Sequence, residues 1–119
     1  MNRGTSDRSV LDVQGLSRSC NETLILATLA SGPHHGYQLV LELEEKSGGV
    51  FRFKHGTLYP ILHRLEKEGV IRGEWLDEVS KRKRKSYRLT AAGRQHLEAQ
   101  KGAWTDFFER FFNVVGEEA

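Results

Sequence analysis

Residues 56–71, Gly56-Thr57-Leu58-Tyr59-Pro60-Ile61-Leu62-His63-Arg64-Leu65-Glu66-Lys67-Glu68-Gly69-Val70-Ile71, carry an apolar stripe at Leu58, Ile61, Leu62 and Leu65. That i, i+3, i+4, i+7 spacing belongs to a helix packed on a core by one face. Such a stripe leaves the other face to water or to a partner. Here the other face holds Thr57, Pro60, His63, Arg64 and Lys67, with Tyr59 on the flank near the start. After Gly69 the pattern changes to short strand-like runs around a dense basic segment. A helix followed by a basic hairpin is the layout of a winged helix-turn-helix. The expected fold class is therefore mainly α with a small antiparallel β-hairpin and a further C-terminal helix.

The remaining elements fall around that helix. Residues 1–19 are polar with scattered apolar positions and read as a flexible N-terminal arm. Residues 21–30 are apolar nearly all round, as in a buried helix, and Ser31-Gly32-Pro33 stops them. Residues 36–46 form the next helix, with an apolar side at Tyr37, Leu39, Val40, Leu41 and Leu43. Val50-Phe51-Arg52-Phe53 alternates, as a short extended link does. His55-Gly56 then turns the chain into the striped helix, with Thr57 as N-cap and Pro60 at the third helical position, where no intrahelical bond is lost. Gly69 is expected as the left-handed residue after its last turn. Strands are expected at 70–76 and 86–90, with a loop at 77–85 between them. Thr90 caps a last helix running to about Val115, which over 25 residues would extend roughly 37 Å. The chain so divides into an arm (1–19), a winged domain (20–90) and a C-terminal helix (91–119).

Charge is distributed rather than abundant. The net charge is +2, yet Lys81, Arg82, Lys83, Arg84, Lys85 and Arg88 lie within eight positions, which leaves the rest of the chain at −4. A segment of that kind meets phosphate well, because each contacting Lys or Arg releases condensed counterions. The single cysteine, Cys20, excludes an intramolecular disulfide and fits a reducing compartment. No apolar run approaches the ~18 residues of a membrane span, and the first residues lack a signal-peptide core, so a cytoplasmic protein is expected. Five histidines fall in no metal-ligand spacing. No nucleophile–base pair, phosphate loop or paired carboxylates suggest catalysis. Neither a metal, a cofactor nor an enzymatic activity is expected.

Three strings of residues resemble the PadR family of bacterial transcriptional regulators over about residues 20–95. They are Gly32-Pro33-His34-His35-Gly36-Tyr37, the run Gly56-Thr57-Leu58-Tyr59-Pro60 continuing to Leu62-His63-Arg64-Leu65-Glu66, and Tyr87-Arg88-Leu89-Thr90-Ala91-Ala92-Gly93. The resemblance implies a repressor that binds a double-stranded operator as a homodimer, with the striped helix as recognition helix and the C-terminal helix as dimer contact. The wing tip departs from the family pattern in lacking a glycine.

On this reading Thr57, Tyr59, Pro60, His63 and Arg64 contact DNA from the recognition helix, with Arg64 best suited to a bidentate contact. Lys54, His55 and Tyr37 meet the phosphate backbone, and Lys81, Arg82, Lys83, Arg84 and Lys85 of the wing lie along the adjacent phosphates or minor groove. The last helix spaces Leu97, Trp104 and Phe111 seven apart, with Phe107, Phe108, Phe112 and Val115 beside them, a heptad-like dimerisation pattern. In some relatives a tryptophan on this helix lines a drug-sized pocket, and Trp104 is the matching candidate for a small-molecule effector. The alternative is a winged-helix protein-interaction adaptor that does not bind DNA.

Overall fold

The computed structural model describes residues 15–77 and 83–116. Four helices and three strands follow in the order α1 (Leu16–Leu29), β1 (His34–His35), α2 (Gly36–Lys46), α3 (His55–Lys67), β2 (Ile71–Asp77), β3 (Lys83–Leu89) and α4 (Ala91–Val115). The first helix begins at Leu16, five residues before its expected start, so only residues 1–14 of the expected arm lie outside the described residues. Its burial is also one-sided. Ile25, Leu26 and Leu29 face the core, while Ala27 and Ala30 face water.

The core is a single cluster in which every helix takes part. Leu39 and Leu43 enter from α2, Leu58, Leu62 and Leu65 from α3, Tyr87 and Leu89 from β3, and Leu97 from α4, around the α1 residues. The expected stripe on α3 is met, with Ile61 half-buried at its edge. On α2 it is narrower than expected, because Tyr37 and Leu41 are exposed. In the link before α3, Phe53 is buried and Phe51 packs on the core, while Arg52 points out.

Two local findings depart from expectation. The N-cap of α3 is Lys54 and not Thr57. The Lys54 carbonyl accepts from both Thr57 and Leu58 backbone N–H groups at 2.9 Å, so the helix gains a turn. Pro60 then lies inside α3, and its missing N–H leaves the Gly56 carbonyl without its helical donor. The second finding is a strand that the sequence reading did not assign, at His34 and His35. They make β1, which pairs antiparallel with β3 (His34 to Tyr87, His35 to Ser86), giving a three-stranded sheet in the order β1-β3-β2.

The hairpin register sets Ile71 opposite Leu89, Gly73 opposite Tyr87 and Trp75 opposite Lys85. Strand β3 starts three residues earlier than expected, so Lys83, Arg84 and Lys85 are strand residues and not loop. The end of α3 is closed by two reverse bonds, Gly69 N–H to the Glu66 carbonyl and Val70 N–H to the Leu65 carbonyl, with Gly69 at φ 81°. That pairing satisfies carbonyls the last turn would otherwise leave open, and glycine takes the left-handed conformation without steric cost.

The start of α4 is tied to the same place. Thr90 Oγ1 accepts from the Gly93 N–H at 3.0 Å and donates to the Gly69 carbonyl at 2.7 Å, and the Thr90 N–H reaches the Val70 carbonyl at 3.2 Å. A Cβ on Gly93 would stand 1.9 Å from the Val70 oxygen. Only glycine therefore lets the first turn of α4 lie on the entry to β2.

Candidate nucleic-acid interface

With Leu58, Leu62 and Leu65 buried, the opposite side of α3 presents Thr57, Tyr59, Pro60, His63 and Lys67 to solvent. At its N-terminal end Lys54 and His55 are exposed as well, and the His55 ring stacks on Tyr59 with centroids 5.7 Å apart. The Tyr59 hydroxyl is tucked against the start of α2. A Cβ on Gly36 would stand 2.5 Å from it, so the Gly36-Tyr37 step is what lets the two helices meet. Tyr37, 58% exposed, follows at once on the open side.

Of these groups Tyr37, Tyr59 and His63 border a cleft of about 670 Å³ between the starts of α2 and α3 and the hairpin. Its walls include Tyr37, Tyr59, His63, Glu66, Trp75, Arg84, Lys85 and Tyr87. Lys85 is not a loose wing cation. Its Nζ sits 3.0 Å from Glu66 Oε1 and about equally over the Trp75 and Tyr87 rings, 5.5 and 5.6 Å from their centroids. Burial, then the Glu66 carboxylate and Tyr59, push the Tyr87 phenol up to about 12, so it stays protonated. Of the expected wing residues Arg84 is exposed, Lys83 is placed in the strand, and Lys81 and Arg82 lie outside the described residues.

Arg64 departs most from expectation. Its guanidinium does not project with Thr57 and His63. It is three-quarters buried and pairs with Glu22 of α1, with Glu68 a second carboxylate 3.8 Å away. On the other side of Glu22, Gln100 of α4 is almost wholly buried, and Trp104 donates from its indole Nε1 to Thr23 Oγ1 of α1 at 3.0 Å.

The C-terminal helix divides the expected dimerisation residues in two. Leu97, 2% exposed, belongs to the domain's own core and is not a surface residue. Trp104 and Phe107 are half-buried, whereas Phe108, Phe111, Phe112 and Val115 are exposed. Ring contacts run along the helix, from Trp104 stacked on Phe108 at 5.6 Å to Phe111 on Phe112 at 5.2 Å. Between α1 and α4 lies a wholly apolar cavity of about 210 Å³, lined by Cys20, Thr23, Leu24, Phe51, Trp104 and Phe108. Burial raises the Cys20 thiol there, which favours the protonated, less nucleophilic form.

At the other end of β1, His34 places Nδ1 2.7 Å from the Gly32 carbonyl and Nε2 2.6 Å from Glu42. Hydrogen bonds from Lys46 and then His34 hold the Glu42 carboxyl below its ordinary range. Among the described residues no group of His, Cys, Asp or Glu could hold a metal ion, and no helix is long and apolar enough to cross a membrane.

Sequence reading missed Glu66, Trp75, Glu22 and Gln100. Glu66 was within reach, since it continues the row Tyr59, His63 at helical spacing. Trp75 becomes visible only with the strand register, and Glu22 and Gln100 only with the tertiary packing.

A family model described as the transcriptional regulator PadR-like family matches residues 25–99. Among curated relatives, a transcriptional regulator of Mycobacterium tuberculosis is 42% identical over 73 residues, 61% of this chain and 64% of that protein. The negative transcriptional regulator PadR of Bacillus subtilis is 34% identical over 73 residues. The match covers 61% of this chain but only 40% of that protein. Its crystal structure in complex with operator DNA superposes with a TM-score of 0.62 at 32% identity, over 66% of this chain and 45% of that one. A PadR family transcriptional regulator from Eggerthella lenta superposes with a TM-score of 0.76 at 30% identity, over 89% of this chain and 90% of that one.

Proposed function

The chain belongs to the PadR-like family of transcriptional regulators, and from that membership we propose that it is a cytoplasmic, homodimeric repressor that binds operator DNA through α3 and the hairpin. The carrying observation is that the exposed polar face of α3 and the basic strand β3 border one cleft. A duplex seated there has its major groove against the N-terminal half of α3, the docking used by helix-turn-helix proteins. Thr57, Tyr59, Pro60 and His63 then face base edges. Lys54, His55 and the Tyr37 hydroxyl meet phosphates and set the register.

The hairpin lies along the neighbouring backbone through Arg84 with Lys81, Arg82 and Lys83. Lys85 acts through Glu66 and the two rings that hold it, and Arg64, paired with Glu22, orients the helix instead of reading a base. The solved Bacillus subtilis relative in complex with operator DNA supports this use of the fold. That relative's description as a negative regulator supports repression. The exposed phenylalanines of α4 pair two copies, and the apolar cavity beside Trp104 takes a small aromatic effector.

Salt dependence tests the interface. Replacing Lys81, Arg82, Lys83 and Arg84 by glutamine together should weaken binding to a selected site and to random duplex about equally, since phosphate contacts carry no base information. The slope of log affinity against log salt should become shallower by about 0.9 for each lost contact. An unchanged slope would remove the wing from the interface.

A further inference from the structure

Behind α3 runs an unbroken chain of polar contacts that crosses the domain. On α4, the Trp104 indole N–H donates to Thr23 Oγ1 at 3.0 Å. The Thr23 hydroxyl lies 2.9 Å from Gln100 Oε1. Gln100 Nε2 reaches Glu22 Oε1 at 3.4 Å and His96 Nε2 at 3.2 Å. The other oxygen of Glu22 holds the Arg64 guanidinium of α3. Gln100, at 2% exposure, is the buried link, and both ends of its amide are engaged. A buried polar side chain so placed is costly unless its partners stay in position.

The chain also contains a choice. Thr23 Oγ1 lies 2.9 Å from Gln100 Oε1 and 3.0 Å from the Ser19 carbonyl. A hydroxyl has one proton to donate, so it serves one acceptor at a time. Turned to Gln100, it completes the link. Turned to Ser19, it leaves the Gln100 oxygen without that donor, and the amide is then less firmly held against Glu22. Trp104, which fixes the Thr23 oxygen from the other side, also lines the apolar cavity between α1 and α4.

We infer that Thr23, Gln100 and Glu22 are positioning residues that couple Trp104 on the C-terminal helix to Arg64 on the DNA-reading helix. The coupling rests on the proposed DNA reading for its functional consequence but not for its existence. A change at the cavity that moves the Trp104 indole alters how firmly Glu22 holds Arg64, and with it the setting of α3. By linkage, a ligand in the cavity and a duplex on α3 change each other's affinity by the same factor, so seating α3 on a duplex also acts back on Trp104. A claimed path between sites requires measured coupling, and both ends of this one can be observed.

The probe is the Trp104 indole N–H resonance in the full-length chain, assigned by its persistence in Trp75→Phe. Arg64→Ala, at the far end, should shift it. In a Gln100→Met background, which keeps the volume of the side chain and removes its hydrogen bonds, Arg64→Ala should no longer do so. Thr23→Val should likewise silence the response, and thermal melts would select variants that unfold cooperatively. A Trp104 resonance unmoved by Arg64→Ala in a folded protein overturns the relay, whatever the protein does with DNA.

A duplex selected from random sequence supplies the second arm. It should shift the same resonance in the parent and not in Gln100→Met, and that variant should lose on the order of 5-fold in preference for the selected site, the lower end of typical couplings. A relay seen by Arg64→Ala, with no duplex binding at all, would leave the relay standing and overturn the proposed function instead.

Discussion

Helix α3 and the outer half of α4 both expose one face, and the two faces are chemical opposites. On α3 the leucines are used up inside, and what remains outside is hydroxyl, imidazole and amine. On α4 the fully buried positions are Gly93, Leu97 and Gln100, and the last inward contacts come from the half-buried Trp104 and Phe107. The turns beyond Phe107 leave Phe108, Phe111, Phe112 and Val115 in water. A contiguous apolar patch on a small domain marks a contact with another protein surface, whereas a polar and basic face with a cleft beside it suits a hydrated, charged partner. Under the proposed function the molecule so separates reading from pairing along its length, and the buried polar chain from Trp104 to Arg64 is where the two halves meet.

The sharpest way to break this contrast is to remove the pairing half alone. A chain ending at Asp106 keeps Gln100 and Trp104, and with them the bonds to α1; a cut at Ala99 would remove both. The shortened chain should be monomeric by light scattering and melt cooperatively. Its duplex affinity should fall by roughly 10²–10⁴-fold, the gain that linking two modules typically provides. A truncated chain that remains dimeric would move the interface to α1.

A second comparison weighs equal truncations on the two helices. Leu62→Ala opens a cavity under α3 and should cost about 2–5 kcal/mol in urea unfolding. Phe112→Ala removes an exposed ring and should cost about 0.5 kcal/mol or less at concentrations where copies are apart, while shifting the dimer equilibrium toward monomer. Equal losses would mean that the outer half of α4 is folded onto its own domain.

The smallest effect probes the joint between the halves. Gly102 lies within α4, with nothing within 4 Å of an added Cβ. Gly102→Ala should stabilise the chain by roughly 0.4–1 kcal/mol through the unfolded state, with duplex affinity unchanged. Loss of affinity would show that bending at this point is needed for two copies to reach one operator.

The parts of this arrangement that follow from local spacing were legible beforehand. The leucine stripe of α3, the Gly69 stop and the Thr90 cap each depend on residues within a turn or two of one another. The start of α3 was not, because threonine's preference for capping lost to a backbone arrangement at Lys54 next to the buried Phe53. The inward turn of Arg64 was not legible for a different reason. On a helical wheel it belongs to the polar face, and only the packing of α1, 42 residues earlier in the chain, supplies the carboxylate that draws it inward. Strand β1 is similarly invisible alone, since two residues become a strand only by pairing with β3. Leu97 fits a heptad as well as it fits a core, and spacing could not choose between them.

The junction at Gly69, Val70, Thr90 and Gly93 has a mechanical consequence. Two hydrogen bonds, from the Thr90 hydroxyl to the Gly69 carbonyl and from the Thr90 N–H to the Val70 carbonyl, tie the end of α3 to the start of α4, and at Gly93 there is no room even for a methyl group. That close junction restricts the angle between those two helices to a narrow range, within which the Trp104–Arg64 chain can act. In the proposed dimer the α4 pair acts as the pivot of a caliper whose jaws are the two α3 helices. Calipers stiff at the joint favour one gauge. Half-sites on one face of the duplex recur about every 10–10.5 base pairs, roughly 34–36 Å, and an inserted base pair both lengthens that gap and rotates the second site away from its jaw. Operator choice in such a protein is partly a matter of length, set by a glycine that touches no base.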